Sequence, residues 1–145
     1  MWNGEYDAAC RNLSESAAAH RRSGLPSVVA PTLGYLADAE YRAGRWDEAI
    51  AHSTQALSLA EDTDHTSMLA LTHAVAAYPL AGRREFAAAR RHVRCAVEYA
   101  RQLADANDLA YAMSASQRCP RACGSIRNSS LVLKSASKLR TPTRR

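Results

Sequence analysis

Two short segments near the C-terminal end hold the residues best suited to metal binding or nucleophilic catalysis. Cys119 and Cys123 frame CPRAC, and Ser135 precedes Lys138 by three residues in SASK. A structural zinc site requires four ligands, and neither histidine nor another cysteine follows Cys123. A serine nucleophile of the S-x-x-K type acts with S-D-N and K-T-G motifs, which this sequence lacks. Neither segment therefore predicts a metal site or an active site.

The histidines and carboxylates also lack the spacing of a metal or catalytic site. No histidine pair has the H-x-x-x-H spacing that places two imidazoles on one helix face. Asp47 and Glu48 stand in the first turn of a predicted helix, where carboxylates stabilise the helix dipole. The five histidines are His20, His52, His65, His73 and His92. The sequence thus predicts a protein without enzymatic activity, a bound metal or a cofactor.

Six arginines are concentrated in one predicted helix and the connection before it. They are Arg83, Arg84, Arg90, Arg91, Arg94 and Arg101. Such a cluster could bind phosphates, but Glu85, Glu98 and Asp105 offset its charge. Arg94 and Glu98 are four residues apart, which allows them to pair on a helix surface. We favour a solvent-exposed helix face, and nucleic-acid binding through these arginines stays as the alternative.

The charge changes abruptly along the chain. Residues 1–108 contain all 14 acidic residues and 11 arginines, a net charge of −3, whereas residues 109–145 contain eight basic residues and no acidic one. The helical pattern ends after about residue 114. These features predict a short helix followed by a flexible basic tail, which attracts anions, including nucleic acids, only weakly and without specificity.

The sequence also predicts where the protein resides. No segment approaches the ~18 consecutive apolar residues of a membrane span. The N-terminus lacks the basic region and apolar run of a signal peptide. We therefore expect a cytoplasmic protein that does not associate with membranes and whose four cysteines are reduced.

The sequence repeats itself at a constant step. Tyr6, Trp46 and Phe86 mark the same position in three successive copies, and an alanine follows three residues later each time. We call the step from Tyr6 to Trp46 the repeat period. Further matching sets are Leu13, Ser53 and Val93; Ser16, Ala56 and Ala96; and Ala17, Leu57 and Val97. Self-similarity with a period of about 40 residues is typical of stacked helix pairs.

Small residues recur where neighbouring helices would touch. Ala49 and Ala56 lie two turns apart on one face of a predicted helix, and Ala89 and Ala96 repeat them in the next copy. Small side chains at such positions let helix backbones approach closely. The pattern therefore indicates helices packed along alanine-lined faces.

Glycine and proline punctuate the predicted helices. Gly24 and Gly44 each follow a helical segment, where glycine adopts the left-handed backbone of a helix end at little cost. Pro26 and Pro31 restrict the start of the next helix, which we place over residues 30–43.

The helix over residues 64–78 should end at Pro79. The connection PLAGRRE would then be about two residues longer than AGR in the previous unit, and the second helix of that pair would cover residues 85–106.

These boundaries predict an all-α solenoid of antiparallel helix pairs, about two and a half repeats long, followed by a disordered basic tail. The predicted units are a half repeat over 1–24, repeats over 26–62 and 64–107, and a possible short helix with the flexible tail over 109–145. Three repeats are close to the minimum for a stable solenoid, and the first one here is halved. We therefore expect a marginal monomer that self-associates or belongs to a longer chain.

The segment YLADAEYRAGRWDEAIAHSTQALSLAED resembles the tetratricopeptide repeat. The residues that match its signature are Leu36, Ala37, Gly44, Trp46, Ala49, Ala56 and Leu57. The family's usual period of ~34 residues is stretched to about 40 here, and Glu61 stands at the family's terminal proline position. The resemblance implies a TPR-like α-solenoid whose first helices line a concave groove for a protein or peptide partner. The groove residues that it implies are Tyr35, Asp38, Arg42 and His73.

The long period and the lysine-free, arginine- and alanine-rich composition of residues 1–108 are similar to the sensor region of large actinobacterial LuxR-type transcriptional regulators. Those proteins carry an ATPase before the helical array and a helix-turn-helix after it. This chain contains no GxxxxGK[ST] phosphate loop and no convincing helix-turn-helix signature. The resemblance implies a fragment of such a regulator, acting as a non-catalytic sensor or protein-interaction module.

Overall fold

The computed structural model describes residues 3–119, which form six α-helices and no strand. The helices are α1 (Asn3–Arg22), α2 (Pro26–Arg42), α3 (Trp46–Asp62), α4 (Thr66–Gly82), α5 (Phe86–Leu103) and α6 (Ala106–Arg118). The predicted all-α class is confirmed. The predictions for Cys123, for SASK and for the basic tail lie outside the described residues.

The helices begin at a constant interval. From α2 onwards they start at positions 26, 46, 66, 86 and 106, so one repeat period corresponds to one helix pair. The backbone is left-handed two positions before each of these starts, at Gly24, Gly44, Asp64, Arg84 and Ala104. The prediction that Gly24 and Gly44 supply this conformation is confirmed. The other three positions achieve it without glycine.

The prediction that Pro79 ends a helix is wrong. Helix α4 continues through Pro79 to Gly82, and the connection to α5 is residues 83–85, as long as the connection at 43–45. A proline inside a helix forfeits a hydrogen bond and crowds the preceding turn. All residues from Ala74 to Ala81 are buried, however, and this packing outweighs the local cost.

Helix α2 also differs from the prediction at its start. It begins at Pro26 rather than at residue 30, and it includes Pro31. Pro26 occupies the first turn, where a backbone N–H would have no acceptor within the helix, so proline forfeits no hydrogen bond there. Pro31 lies within the first two turns, and the buried flanking residues Ala30 and Thr32 hold the segment in the helix.

The helices form two rows. Helices α2, α4 and α6 contact one another in sequence and form the inner row. Helices α1, α3 and α5 form the outer row, and each packs against its neighbours along the chain in the inner row. Ala49 and Ala56 of α3, and Ala89 and Ala96 of α5, are fully buried, as their close helix contacts require. Among residues 3–119 no helix is both long and apolar enough to cross a bilayer.

Candidate partner-binding surface

The C-terminal half of α2 carries three of the four residues that the resemblance assigns to a groove. Arg42 Nε donates a hydrogen bond to Asp38 Oδ2 at 2.9 Å, one helical turn away. This hydrogen bond raises the pKa of Arg42 above its ordinary value. Tyr35 lies one turn before Asp38, and its side chain is 50 % exposed. The structure thus brings a phenol, a carboxylate and a guanidinium together on one helix.

Asp38 has an unused hydrogen-bond acceptor. Its Oδ2 accepts from Arg42, whereas its Oδ1 is buried and has no hydrogen-bond partner within the described residues. A buried carboxylate oxygen without a partner lowers stability, because it has lost its hydration without replacement.

Two tyrosines and an arginine link the three inner-row helices beside Asp38. The rings of Tyr41 and Tyr78 stack with centroids 5.2 Å apart. The Arg118 guanidinium carbon lies 5.6 Å from the Tyr41 centroid and 5.0 Å from the Tyr78 centroid, and Nη1 donates to Tyr41 Oη at 3.1 Å. Stacking of a guanidinium on aromatic faces stabilises contacts of this kind. We call Tyr41, Tyr78 and Arg118 the aromatic–arginine cluster.

Tyr111 connects this cluster to the α2 residues. Tyr78 Oη donates to the Tyr111 carbonyl at 3.3 Å. Burial raises the pKa of the Tyr111 phenol, and the negative charge of Asp38 raises it further, which places Asp38 within electrostatic range. Tyr35, Asp38, Arg42, Tyr111 and Arg118 therefore form one polar and aromatic surface on the inner row, which we call the inner surface.

The inner surface offers hydrogen-bonding and stacking groups. Carboxylate, guanidinium and phenol groups recognise polypeptide backbones and polar side chains. Within residues 3–119 no three histidine, cysteine, aspartate or glutamate side chains are grouped as metal ligands.

His73 lies apart from the other three predicted groove residues. Its Nδ1 is 2.9 Å from Nδ1 of His92 on α5, and its ring stacks on Tyr99 of α5 with centroids 5.9 Å apart. His73 therefore belongs to the contact between α4 and α5 and not to the inner surface. The repeat period explains this placement, because the residue equivalent to His73 is Leu33, in the core, and not Tyr35 or Asp38.

The two histidines are held mainly in their neutral form. Burial lowers the pKa of His73 to about 4, and the nearby His92 contributes. Burial also lowers the pKa of His92, with a smaller contribution from the positive charge of Arg91. One neutral imidazole can donate to the other, so the short contact forms only while at least one ring is unprotonated.

The repeated aromatic residues pack against the following inner-row helix. A methyl group at Gly82, the last residue of α4, would lie 2.8 Å from the Trp46 ring. Tyr6 lies close enough to Arg42, the residue equivalent to Gly82 on α2, to help raise the pKa of its guanidinium. Tyr6 and Trp46 thus occupy equivalent places.

Sequence reasoning missed a second polar pair. Glu40 of α2 is buried, and its two carboxylate oxygens lie 2.8 and 3.0 Å from His52 Nδ1 of α3. His52 and His92 are separated by one repeat period, and so are Asp38, Tyr78 and Arg118 in succession. This periodicity was the available signal for both the polar pairs and the aromatic–arginine cluster.

The arginine-rich helix α5 presents most of its charge to solvent. Arg91, Arg94 and Arg101 are exposed, whereas Ala89, Val93, Ala96, Val97 and Ala100 are buried. Arg83, in the preceding connection, forms an ion pair with Asp47. This distribution is that of an amphipathic outer-row helix.

A comparison with protein families identifies the helical repeat. Residues 1–62 match the family model for the tetratricopeptide repeat. No curated protein and no solved structure matches the chain. The matched region covers α1 to α3, and α4 to α6 continue its helix-pair arrangement at the same interval. The described residues thus form a TPR-like α-solenoid.

Proposed function

We propose that this chain, whose first 62 residues match the tetratricopeptide repeat, is a non-catalytic module that binds a partner protein on its inner surface. Tetratricopeptide repeats generally mediate protein–protein interactions. The partner segment would lie against α2, contacting the exposed ring of Tyr35 and the charged groups of Asp38 and Arg42.

The observation that carries this proposal is the exposed ring of Tyr35 beside the ion pair of Asp38 and Arg42. Tyr35 is 50 % exposed, and Arg42 Nε donates to Asp38 Oδ2 on the same helix. A bound polypeptide would cover the tyrosine ring and form hydrogen bonds with the charged pair. Hydrogen bonds to charged groups are stronger than those between neutral groups.

A peptide-binding experiment tests the proposal. Peptides of random sequence are selected on the purified protein, and the affinity of the best one is measured by fluorescence anisotropy. We expect Asp38→Asn to weaken binding by about tenfold, because the charge of the acceptor is lost. Tyr35→Ala should weaken it by a similar factor, because the ring contributes contact area.

Asp62→Asn is the matched control, because it removes an exposed carboxylate from the last turn of α3. The control should bind as tightly as the unmodified protein. Equal affinity in the Asp38 variant, the Tyr35 variant and the control would refute the inner surface as the binding site. If the selected peptides are strongly acidic and their affinity falls steeply as salt is added, the result would instead favour nucleic-acid binding through the exposed arginines of α5.

We further propose that the module acts as the sensor region of a bacterial LuxR-type regulator with an ATPase. The support is the lysine-free, arginine- and alanine-rich composition of residues 1–108 together with the long repeat period. In such a protein, partner binding on the repeats would shift the state of the ATPase. The DNA adjoining this coding sequence tests the idea, since it should encode a phosphate-loop ATPase upstream and a helix-turn-helix downstream.

A further inference from the structure

A cavity of about 250 Å³ lies between the outer-row helices α1 and α3, beside the first turn of α2. Most of its lining is apolar, and two side chains are polar. The lining residues are Leu25, Pro26, Val29 and Leu59, which are apolar, together with Gly24 and the polar Arg21 and Gln55. We call this space the outer-row cavity. It shares no residue with the inner surface and is therefore a separate feature of the molecule.

The repeat shows which kind of group fits a place of this kind. Tyr99 of α5 stands one repeat period after Leu59, and Leu69 of α4 stands one repeat period after Val29. The Tyr99 ring is partly buried, packs against the core cluster that contains Leu69, and lies nearly parallel to the His73 ring. A leucine side chain is shorter than a tyrosine side chain, so Leu59 leaves open part of the corresponding space. An aromatic ring is therefore a group that this part of the fold accommodates.

Leu25 makes the wall of the cavity apolar at a position where the repeat elsewhere has polar residues. Its equivalents are His65, before α4, and Asp105, before α6. The Asp105 carboxylate accepts hydrogen bonds from two N–H groups in the first turn of α6, whereas Leu25 provides α2 with no side-chain cap. Leucine thus forgoes the stability that a capping residue supplies, and it adds apolar surface to the cavity instead.

Arg21 provides the positive charge beside the cavity. Its Nη2 donates a hydrogen bond to Gln55 Oε1 at 2.7 Å, which holds the guanidinium next to the space that both residues line. A guanidinium has five N–H donors, and this hydrogen bond uses one of them. Among residues 3–119 no carboxylate forms an ion pair with Arg21. A carboxylate is the group that matches the remaining donors in charge and in geometry.

The volume of the cavity limits the size of its ligand. Pockets that bind drug-sized molecules measure roughly 300–1,000 Å³, and this cavity is smaller. We propose that the outer-row cavity binds a small aromatic carboxylic acid, a free molecule of one ring and a short acidic side chain. The ring would pack against Val29 and Leu59, and the carboxylate would accept hydrogen bonds from Arg21.

Titration of the ¹⁵N-labelled full chain with phenylacetate, followed by NMR, tests the proposal. Saturable shift changes are expected at the amides of the cavity residues Gly24, Leu25, Val29 and Leu59. The dissociation constant should be roughly 1 mM, which is typical of a ligand of about ten non-hydrogen atoms. Phenylacetamide has nearly the same shape without the charge and should bind about fivefold more weakly. Acetate, which lacks the ring, should cause no saturable change at these amides.

Three variants assign the two halves of the ligand. Leu59→Tyr, which introduces the residue found at the equivalent position 99, should fill the cavity and abolish binding. Arg21→Gln should weaken phenylacetate binding by about fivefold and remove the preference over phenylacetamide. Arg22→Gln is the matched control, because Arg22 is an exposed arginine next in the chain that does not line the cavity. The control should bind phenylacetate as tightly as the unmodified protein.

A second filling variant keeps the test valid if Leu59→Tyr loses its helices in circular dichroism. Leu25→Asp introduces the capping residue found at the equivalent position 105, so the fold should be retained. The new carboxylate would repel the ligand and pair with Arg21, and phenylacetate binding should weaken by at least about fivefold.

Several outcomes would refute the proposal. They are the absence of saturable shifts up to about 20 mM phenylacetate, well above the expected dissociation constant, and shifts confined to residues outside the cavity. Unchanged affinity in the cavity variants would refute it as well. Equal affinity for phenylacetate and phenylacetamide would refute the assignment of a carboxylate. None of the substituted residues lies on the inner surface, so each of these results leaves peptide binding at Tyr35 and Asp38 to be decided by its own variants.

Discussion

The first three helices and the last three reach the same geometry with different residues. The left-handed positions are Gly24 and Gly44 in the first half but Asp64, Arg84 and Ala104 in the second. The turns after α2, α3 and α4 nevertheless close alike. The amide of Arg45 donates to the Glu40 carbonyl at 2.8 Å, and the equivalent bonds after α3 and α4 are both 2.9 Å. The family match ends at residue 62, with the glycine-containing half. Packing within the repeat thus fixes the turn, and glycine lowers the free-energy cost of its left-handed backbone position.

The two halves also differ in the polar residues between paired helices. The first hairpin buries Glu40 against His52, an acid and a base. The second joins His73 to His92, two bases of which only one can be protonated without repulsion. Only His52 and His92 are equivalent in the repeat, so the two hairpins place different partners against the same histidine position.

The largest expected effect tests whether the two halves are equally well packed. Ala56→Leu and Ala96→Leu each add three carbon atoms at a fully buried helix contact. We expect each to lower the free energy of unfolding by about 2–3 kcal/mol, because the helices must separate to accommodate the larger side chain. Urea denaturation followed by circular dichroism measures both. Ala51→Leu, on the exposed side of α3, should change stability by less than about 0.5 kcal/mol.

A much smaller loss for Ala96→Leu than for Ala56→Leu would show that the second half packs loosely. The conclusion that the two halves reach the same packing with different residues would then be wrong.

The second effect concerns the histidine pair. The pKa of His73 in the folded protein is about 4, below the ordinary value of 6.5, so the unfolded chain binds more protons between these values. The free energy of unfolding should therefore fall as the pH is lowered from about 6.5 to 4. A loss of about 2 kcal/mol is expected after allowance for the partial exposure of the ring.

His73→Leu, which introduces the residue found at the equivalent position 33, should remove most of this pH dependence. Urea unfolding at several pH values measures it, and His65→Gln serves as a control outside the pair. An unchanged pH profile in His73→Leu would assign the acid sensitivity to other groups.

The smallest effect tests the turns. Gly44→Ala should lower the free energy of unfolding by about 1 kcal/mol, because the left-handed backbone disfavours a Cβ atom even though the added methyl group meets no other atom. Ala104→Gly should raise it by up to about 1 kcal/mol for the converse reason. Thermal melting of both variants supplies the measurement. Changes of the same sign in the two would contradict a shared turn geometry.

Much of the fold follows from the sequence. Local backbone and packing requirements restrict the residue type at single positions. Such requirements explain the repeat period, the glycines at 24 and 44, and the buried alanines at 49 and 56. The end of α4 did not follow, because the cost of Pro79 is local whereas the packing that offsets it comes from residues far along the chain.

The candidate site was predicted less completely than the fold. Tyr35, Asp38 and Arg42 share a helix, so their proximity follows from helical spacing alone. Arg118 meets Tyr41 and Tyr78 across three helices, and no local rule gives that contact. The contact of His73 with α5 did not follow from the sequence, because its neighbours within α4 do not reveal it.

The constant interval between helix starts has an evolutionary consequence. Deleting or duplicating one whole period keeps every remaining helix in its own row, so a gene can gain or lose such a block without disturbing the neighbouring contacts. A change of half a period would exchange the rows and turn apolar faces outward. Length variation in descendants of this gene should therefore proceed in steps of whole helix pairs.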